Sequence, residues 1–135
     1  MLATLCAALL CAGALGLAAC GGDDSARSEN RPPIPINISV VIGEQRITAS
    51  PTKFGAGPIT LLVTNQSRVQ HSLTIDGPRV KQTVGPINPE DTGTLKVTVQ
   101  TGEYQLTPES QASLSPAKLT VGPERASSQN QLLTP

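Results

Sequence analysis

Hydrophobic and polar residues alternate through the middle of the chain in a pattern that predicts β-strands. The clearest case is residues 94–100, where Leu95, Val97 and Val99 alternate with polar residues. Successive side chains of a strand point to opposite faces, so these three should face the core. The same reasoning places six further apolar residues inside: Leu61, Val63, Leu73, Ile75, Leu119 and Val121.

The spacing of the apolar segments predicts an all-β fold. Strands are expected at residues 36–42, 46–49, 59–64, 72–75, 79–84, 94–100, 103–106 and 117–121, and residues 54–58 are expected to form a loop because they contain Gly and Pro. No segment of useful length has a helical period. About seven or eight short strands at this spacing are typical of a Greek-key β-sandwich. The sandwich is expected to occupy residues 36–122, followed by a polar, disordered tail at 123–135.

Tyr104 is the one tyrosine in the chain and directly follows a turn at Thr101-Gly102. A tyrosine in this position is typical of a tyrosine corner, whose hydroxyl bonds backbone groups a few residues upstream. The alternative is a tyrosine that covers the edge of an aliphatic core. Both interpretations make Tyr104 a structural residue.

Composition removes several classes of function. Lys and Arg together number 10, as do Asp and Glu, so the formal net charge is zero. A neutral chain offers no basic surface for nucleic acid or for anionic lipid. With one Phe, one Tyr and no Trp, the core must consist mainly of Ile, Val and Leu.

The N-terminal segment carries a sequence that resembles a bacterial lipoprotein signal. Residues 2–19 are uncharged and largely apolar, Leu17-Ala18-Ala19-Cys20 follows the lipobox pattern, and the chain becomes polar directly afterwards. The segment lacks the Lys or Arg with which such signals normally begin. The resemblance implies removal of residues 1–19 and lipidation of Cys20.

Two alternatives remain for this segment: an uncleaved transmembrane helix and an ordinary secretory signal. A cysteine directly after a small-residue cleavage site favours the lipoprotein interpretation. Residues 20–35 would then form a flexible tether with a span of roughly 20 Å. The protein would lie outside the cytoplasm, anchored to the outer face of the cytoplasmic membrane, or in the periplasm of a cell with an outer membrane. Since Cys6 and Cys11 would leave with the signal, the folded domain would contain no disulfide.

The strand pattern around the single histidine resembles the cupredoxins, the blue-copper fold. Residues 58–65, which end in Asn65, are followed by His71-Ser72-Leu73-Thr74-Ile75, as in the strand, Asn and first-ligand His of that family. Residues 94–106 resemble the strands that lead to the copper loop, and residues 117–121 resemble the closing strand. The resemblance implies a cupredoxin-like sandwich over residues 36–122, with Asn65 in a structural position.

The resemblance does not extend to the copper ligands. Cupredoxins hold copper with two His, one Cys and usually a Met. His71 corresponds to the first His, but the stretch from Thr107 to Pro116, where the others should lie, contains no Cys, His or Met. We therefore expect no metal and no other cofactor. His71 is either functional, as a remnant metal ligand or a pH-sensitive contact, or structural, as an imidazole that packs inward with Leu73 and Ile75 and bonds a loop carbonyl.

The sequence offers no constellation of catalytic residues, so we expect the protein not to be an enzyme. A hydrolase that used His71 as a base would need an activated serine, and no nucleophile motif is present. The leading hypothesis is a membrane-anchored binding or accessory module whose partner is an unidentified protein or small molecule. The alternative is a copper-related metal-handling protein in which His71 contributes one ligand to a site shared with a partner.

Lipidation of Cys20 gives the first testable prediction. Intact-mass analysis of the membrane-bound protein should show cleavage before Cys20 and the added mass of acyl chains. A Cys20→Ser variant should lose stable membrane attachment, because the acyl chains provide about 0.8 kcal/mol per buried methylene. Full membrane retention of that variant, with an unmodified N-terminus, would contradict the prediction.

Overall fold

The computed structural model describes residues 32–109 and 113–126. The signal segment, Cys20 and most of the proposed tether therefore lie outside the described residues, as do residues 127–135 of the predicted tail. Eight strands form the described part: β1 (Ile36–Ile42), β2 (Ile47–Ser50), β3 (Lys53–Asn65), β4 (His71–Gly77), β5 (Val80–Ile87), β6 (Thr92–Val99), β7 (Gly102–Pro108) and β8 (Ala117–Glu124). Within it, no helix is long and apolar enough to cross a membrane.

The strands form a sandwich of two sheets that share β3. One sheet has the order β2-β1-β3-β6, and the other has the order β3-β8-β7-β4-β5. The all-β, Greek-key sandwich predicted from the sequence is confirmed. The strand predicted at residues 36–42 matches β1, and β3 pairs with β1 and β8 in parallel and with β6 antiparallel.

The predicted core positions are also confirmed. Leu61, Ile75 and Leu119 are fully buried, and Val97 is 8% exposed. Leu95 is partly buried and packs against the same core. The remaining predicted positions are buried as well: Val63, Leu73, Val99 and Val121. The buried apolar residues of the described part are aliphatic except for Tyr104, and the buried polar residues are Asn65, Ser67, His71 and Thr74.

The predicted loop at residues 54–58 is wrong, because these residues belong to β3. The first part of β3 pairs with β8 and the second part pairs with β1 and β6, with an irregular register between Gly55 and Ala56. Gly57 has a φ of 132°, a conformation that side chains rarely adopt. The Gly and Pro residues therefore mark a corner where the strand changes sheets, rather than a break in the strand.

Arg125 supplies the hydrogen bonds that this corner needs. Its Nε donates to the carbonyls of Gly55 and Ala56 at 3.1 and 3.2 Å, and its Nη2 donates to the carbonyl of Pro58 at 2.6 Å. Its Nη1 donates to the carbonyl of Ile34 at 2.6 Å. Desolvation lowers the pKa of Arg125 from its ordinary value, and the guanidinium remains charged at any physiological pH.

The tail begins later in the chain than the sequence predicted. The sandwich was expected to end at residue 122, but β8 continues to Glu124. The backbone N–H of Arg125 then donates to the carbonyl of Ala56 at 3.1 Å. Strand β5 likewise passes its predicted end at Val84 and continues through Gly85-Pro86 to Ile87.

Tyr104 has the geometry of a tyrosine corner. Its hydroxyl accepts a hydrogen bond from the backbone N–H of Gln100 at 2.9 Å and lies 3.1 Å from the carbonyls of Gln100 and Pro78. The ring is 1% exposed and packs directly on Gly77, where a Cβ atom would overlap it. Tyr104 thus ties the β6–β7 turn to the β4–β5 turn.

The register of β6 gives a stability prediction. Val97→Ala should lower the free energy of unfolding by about 1–3 kcal/mol, because it removes buried methyl groups and leaves part of their volume empty. The neighbouring Thr98 is exposed, so Thr98→Ala serves as the control and should cost much less. Equal effects of the two substitutions in denaturant titrations would contradict the register.

Candidate functional site at the His71 end

Four connections meet at one end of the sandwich, which we call the loop end. They are the turns and loops at residues 43–46, 66–70 and 88–91, and the described residues of the β7–β8 loop, which are 109 and 113–116. Hydrogen bonds and strand register join them: Gln66 donates to the carbonyl of Ile42, and His71 pairs with Ile87. The loop end is where the cupredoxin resemblance places its metal ligands, so it is the candidate site.

Asn65 holds the loop end together. Its side chain is fully buried, and its Nδ2 donates to the carbonyls of Val69 and Ile87 at 2.7 and 3.0 Å. Its Oδ1 accepts from the backbone N–H and the hydroxyl of Ser67 at 3.0 and 2.7 Å. The amide therefore uses both donor hydrogens and accepts two hydrogen bonds, which is the full capacity of the side chain.

The backbone of Asn65 extends this network to the third connection. Its N–H donates to the carbonyl of Asp91 at 3.0 Å, and its carbonyl accepts from the N–H of Glu90 at 2.7 Å. One residue thus joins the loop after β3 to the loop before β6. These contacts explain in physical terms the structural role that the resemblance implies for Asn65.

His71 begins β4 and faces the core. It is 1% exposed, and it lies in phase with Leu73 and Ile75, which are equally inaccessible. Its Nε2 atom is shielded from solvent, and the residue takes part in an interaction within the protein. The imidazole is therefore a buried group, not one displayed on the surface of the loop end.

The β7–β8 loop is fastened to its surroundings on both sides of residues 110–112, which lie outside the described range. On one side, the N–H of Glu109 donates to the carbonyl of Ser72 at 2.9 Å. On the other side, the carbonyl of Ser115 accepts from Ile47 at 2.9 Å, and the N–H of Ser115 donates to Gln45 at 3.1 Å. Between these points Leu114 is 4% exposed and joins the hydrophobic core.

Glu109 extends towards the outer face of the sheet, where it meets two hydroxyl groups. Its Oε1 accepts from Thr74 and Thr83, each at 3.1 Å, and the two threonine hydroxyls are 2.7 Å apart. Thr74 lies on the face of β4 opposite that of Leu73 and Ile75, and it is itself only 6% exposed. The carboxylate thus fastens the start of the loop to β4 and β5.

The residues at this end do not fit a type 1 copper ion. Such a site needs a thiolate and a second imidazole beside the first one. His71 is the one histidine of the sequence, and the described residues contain no cysteine or methionine. Among these residues, no group of three or more His, Cys, Asp or Glu side chains is placed to hold a metal ion.

Comparisons with known proteins identify the fold. No family model matches the chain, and no curated protein matches it. Among solved structures, auracyanin B aligns with a TM-score of 0.54 and 16% identity over 70% of this chain and 100% of its own. Reduced auracyanin from Roseiflexus castenholzii aligns with a TM-score of 0.51 and 16% identity over 67% of this chain and 99% of its own.

A larger protein shares the same fold over part of its length. A multicopper oxidase aligns with a TM-score of 0.52 and 12% identity over 68% of this chain, which spans 46% of the oxidase chain. Likeness at these identities defines the architecture. The chain is an all-β protein with a cupredoxin-like sandwich, as its sequence pattern predicts.

The Asn65 network gives a stability prediction for the loop end. Asn65→Ala should lower the free energy of unfolding by about 2–4 kcal/mol, because the buried carbonyl of Ile87 loses its side-chain donor and the Ser67 groups lose their acceptor. Asn37→Ala is the matched control, since Asn37 is exposed on β1, and it should have little effect. A cost for Asn65→Ala no larger than that of the control in thermal or denaturant unfolding would show that the network does not stabilise the fold.

Proposed function

We propose that the protein is a membrane-anchored bacterial lipoprotein whose cupredoxin-like domain is a copper-free, non-catalytic binding or accessory module. The observation that carries the proposal is the composition of the loop end. Its one imidazole lies in the core, and the described part of the loop that would supply a cysteine instead supplies Leu114, a core residue. Packing has taken the place of metal ligation at this end.

The position of the N-terminal segment determines which end of the domain an anchor at Cys20 would hold near the membrane. Ile34 lies beside Arg125, at the end of the sandwich opposite the loop end. From there β1 runs from Ile36, which pairs with Ile59, to Ile42, which pairs with Asn65. Seven residues of strand span about 23 Å. A tether from the membrane would therefore attach at one end of the domain and leave the loop end about that much further from the bilayer.

Burial of His71 argues for a structural role over catalysis. A general base must come within hydrogen-bond distance of the group that it deprotonates. His71 is 1% exposed and its Nε2 is shielded, so a substrate would have to displace core side chains to reach it. The same barrier applies to a partner that would share a metal ion with His71.

The shared metal site nevertheless remains the second candidate, because an imidazole is a good ligand for copper and zinc. For this function, the start of β4 would have to separate from β5, because His71 pairs with Ile87 there. Binding would therefore be coupled to local opening of the loop end. Such coupling makes affinity weak, since part of the binding free energy is used for the opening.

Copper titration separates the two candidates. Detergent-purified protein titrated with Cu(II) should bind at most weakly and without strong visible absorption, because no thiolate is available as a ligand. Any such binding should depend on His71 and be lost in His71→Ala. Leu73→Ala is the control for disturbance of the core, because Leu73 is equally buried on the same strand and its loss leaves the imidazole in place.

Two results would contradict the copper-free module. One is tight, stoichiometric binding of copper by the unaltered protein with an intense blue colour. The other is tight binding that survives Leu73→Ala and disappears in His71→Ala, which would favour the metal-handling candidate.

A further inference from the structure

The N-terminal segment Pro32–Pro35 is bound to the body of the domain through a carbonyl. Three of its four residues are prolines, which have no N–H to donate. The carbonyl of Ile34 accepts from Arg125 Nη1 at 2.6 Å. An arginine from the far end of the described chain therefore holds a segment that the sequence assigns to a flexible tether.

The segment also packs against the corner of β3. A Cβ atom placed on Gly57 would lie 2.9 Å from Pro33 Cγ and 2.9 Å from Arg125 Nη2. The segment and the corner together line a groove of about 590 Å³, to which Thr98 and Glu124 also contribute. Ile34 is 67% exposed within this contact. The domain therefore binds Ile34 through its backbone carbonyl and not through its side chain.

Arg125 makes its two shortest bonds, both 2.6 Å, to the carbonyls of Ile34 and Pro58. Hydrogen bonds from a charged guanidinium are shorter and stronger than neutral ones, and the planar group fixes the direction of each. The same side chain thus joins the N-terminal segment to β3. Its own position is fixed by the backbone bond from Arg125 to Ala56.

We propose that Arg125 is a strap that fixes the direction in which the tether leaves the domain. The proposal rests on the proposed anchoring through Cys20. With the strap closed, the stiff proline segment, about 12 Å long at 3.1 Å per residue, lies against the sandwich. Loss of the chain after Val121 would open the strap and add this segment to the free tether. The C-terminal end of β8 would then control how the domain is held at the membrane.

The mobility of a label on the N-terminal segment tests the strap. Ile34→Cys places a nitroxide on an exposed side chain while the backbone carbonyl stays in place. The full-length, detergent-purified protein should give a spectrum dominated by slow motion. Arg125→Ala should remove the slow component, and Arg125→Lys should remove part of it, because lysine cannot reach all four carbonyls with a planar fork.

Lys118→Ala is the matched control, because Lys118 is an exposed cation on β8, the strand that directly precedes Arg125, and it should leave the spectrum unchanged. Spectra should be recorded at a temperature well below the unfolding transition of each variant. Fast motion then reports release of the N-terminal segment and not global unfolding. Unchanged slow motion in Arg125→Ala would overturn the strap, as would fast motion in the parent protein. If Arg125→Ala does not fold, the spectrum of Arg125→Lys decides the question in the same way.

The same samples test the anchor separately. Acylation blocks Cys20, so a lipidated chain should carry one label by intact mass. A second label on Cys20 would contradict the proposed anchor. In that case, the spectrum of labelled protein without Ile34→Cys can be subtracted, which still isolates the signal at position 34.

Discussion

The fold depends on one strand that belongs to two sheets. Strand β3 pairs with β8 before its corner and with β1 and β6 after it. A corner of this kind turns backbone carbonyls away from both ladders, and polar backbone groups need partners when they are shielded from water. Arg125 provides those partners with one guanidinium and one backbone N–H. The two sheets are joined where this contact is made.

The opposite end of the sandwich, which contains the candidate site, is held together by hydrogen bonds and packing. Asn65 satisfies the loops by hydrogen bonding alone, and His71 and Leu114 fill the core beneath them. Each of these contacts is made by the protein itself. These contacts support the proposal that the domain is a binding or accessory module.

Alternation of apolar residues was sufficient to predict most strands and the inward positions of β3, β4, β6 and β8. The resemblance to cupredoxins also predicted the fold, because its strand pattern survives at low identity. The corner of β3 was missed because Gly55 and Gly57-Pro58 look like a strand break. The sheet change can be recognised only from the pairing partners of β3, which are distant in sequence.

Arg125 was missed for a related reason. Its carbonyl partners lie 67 to 91 residues earlier in the chain, and it stands in a polar stretch without periodicity. The burial of His71 was one of two alternatives in the sequence, since an inward phase with Leu73 and Ile75 suits a core imidazole and a metal ligand equally. The described residues contain no cysteine, no methionine and no second histidine. This composition favours a structural imidazole over a ligand of a type 1 copper ion.

The most direct test of the account is the metal content of the protein as it occurs in the cell. The chain should be isolated in detergent from the cells that produce it, without added metals or chelators, and its copper and zinc should be quantified by elemental mass spectrometry per mole of chain. The account predicts far less than one copper per chain. One copper per chain that remains after gel filtration, in a protein with a blue chromophore, would contradict it.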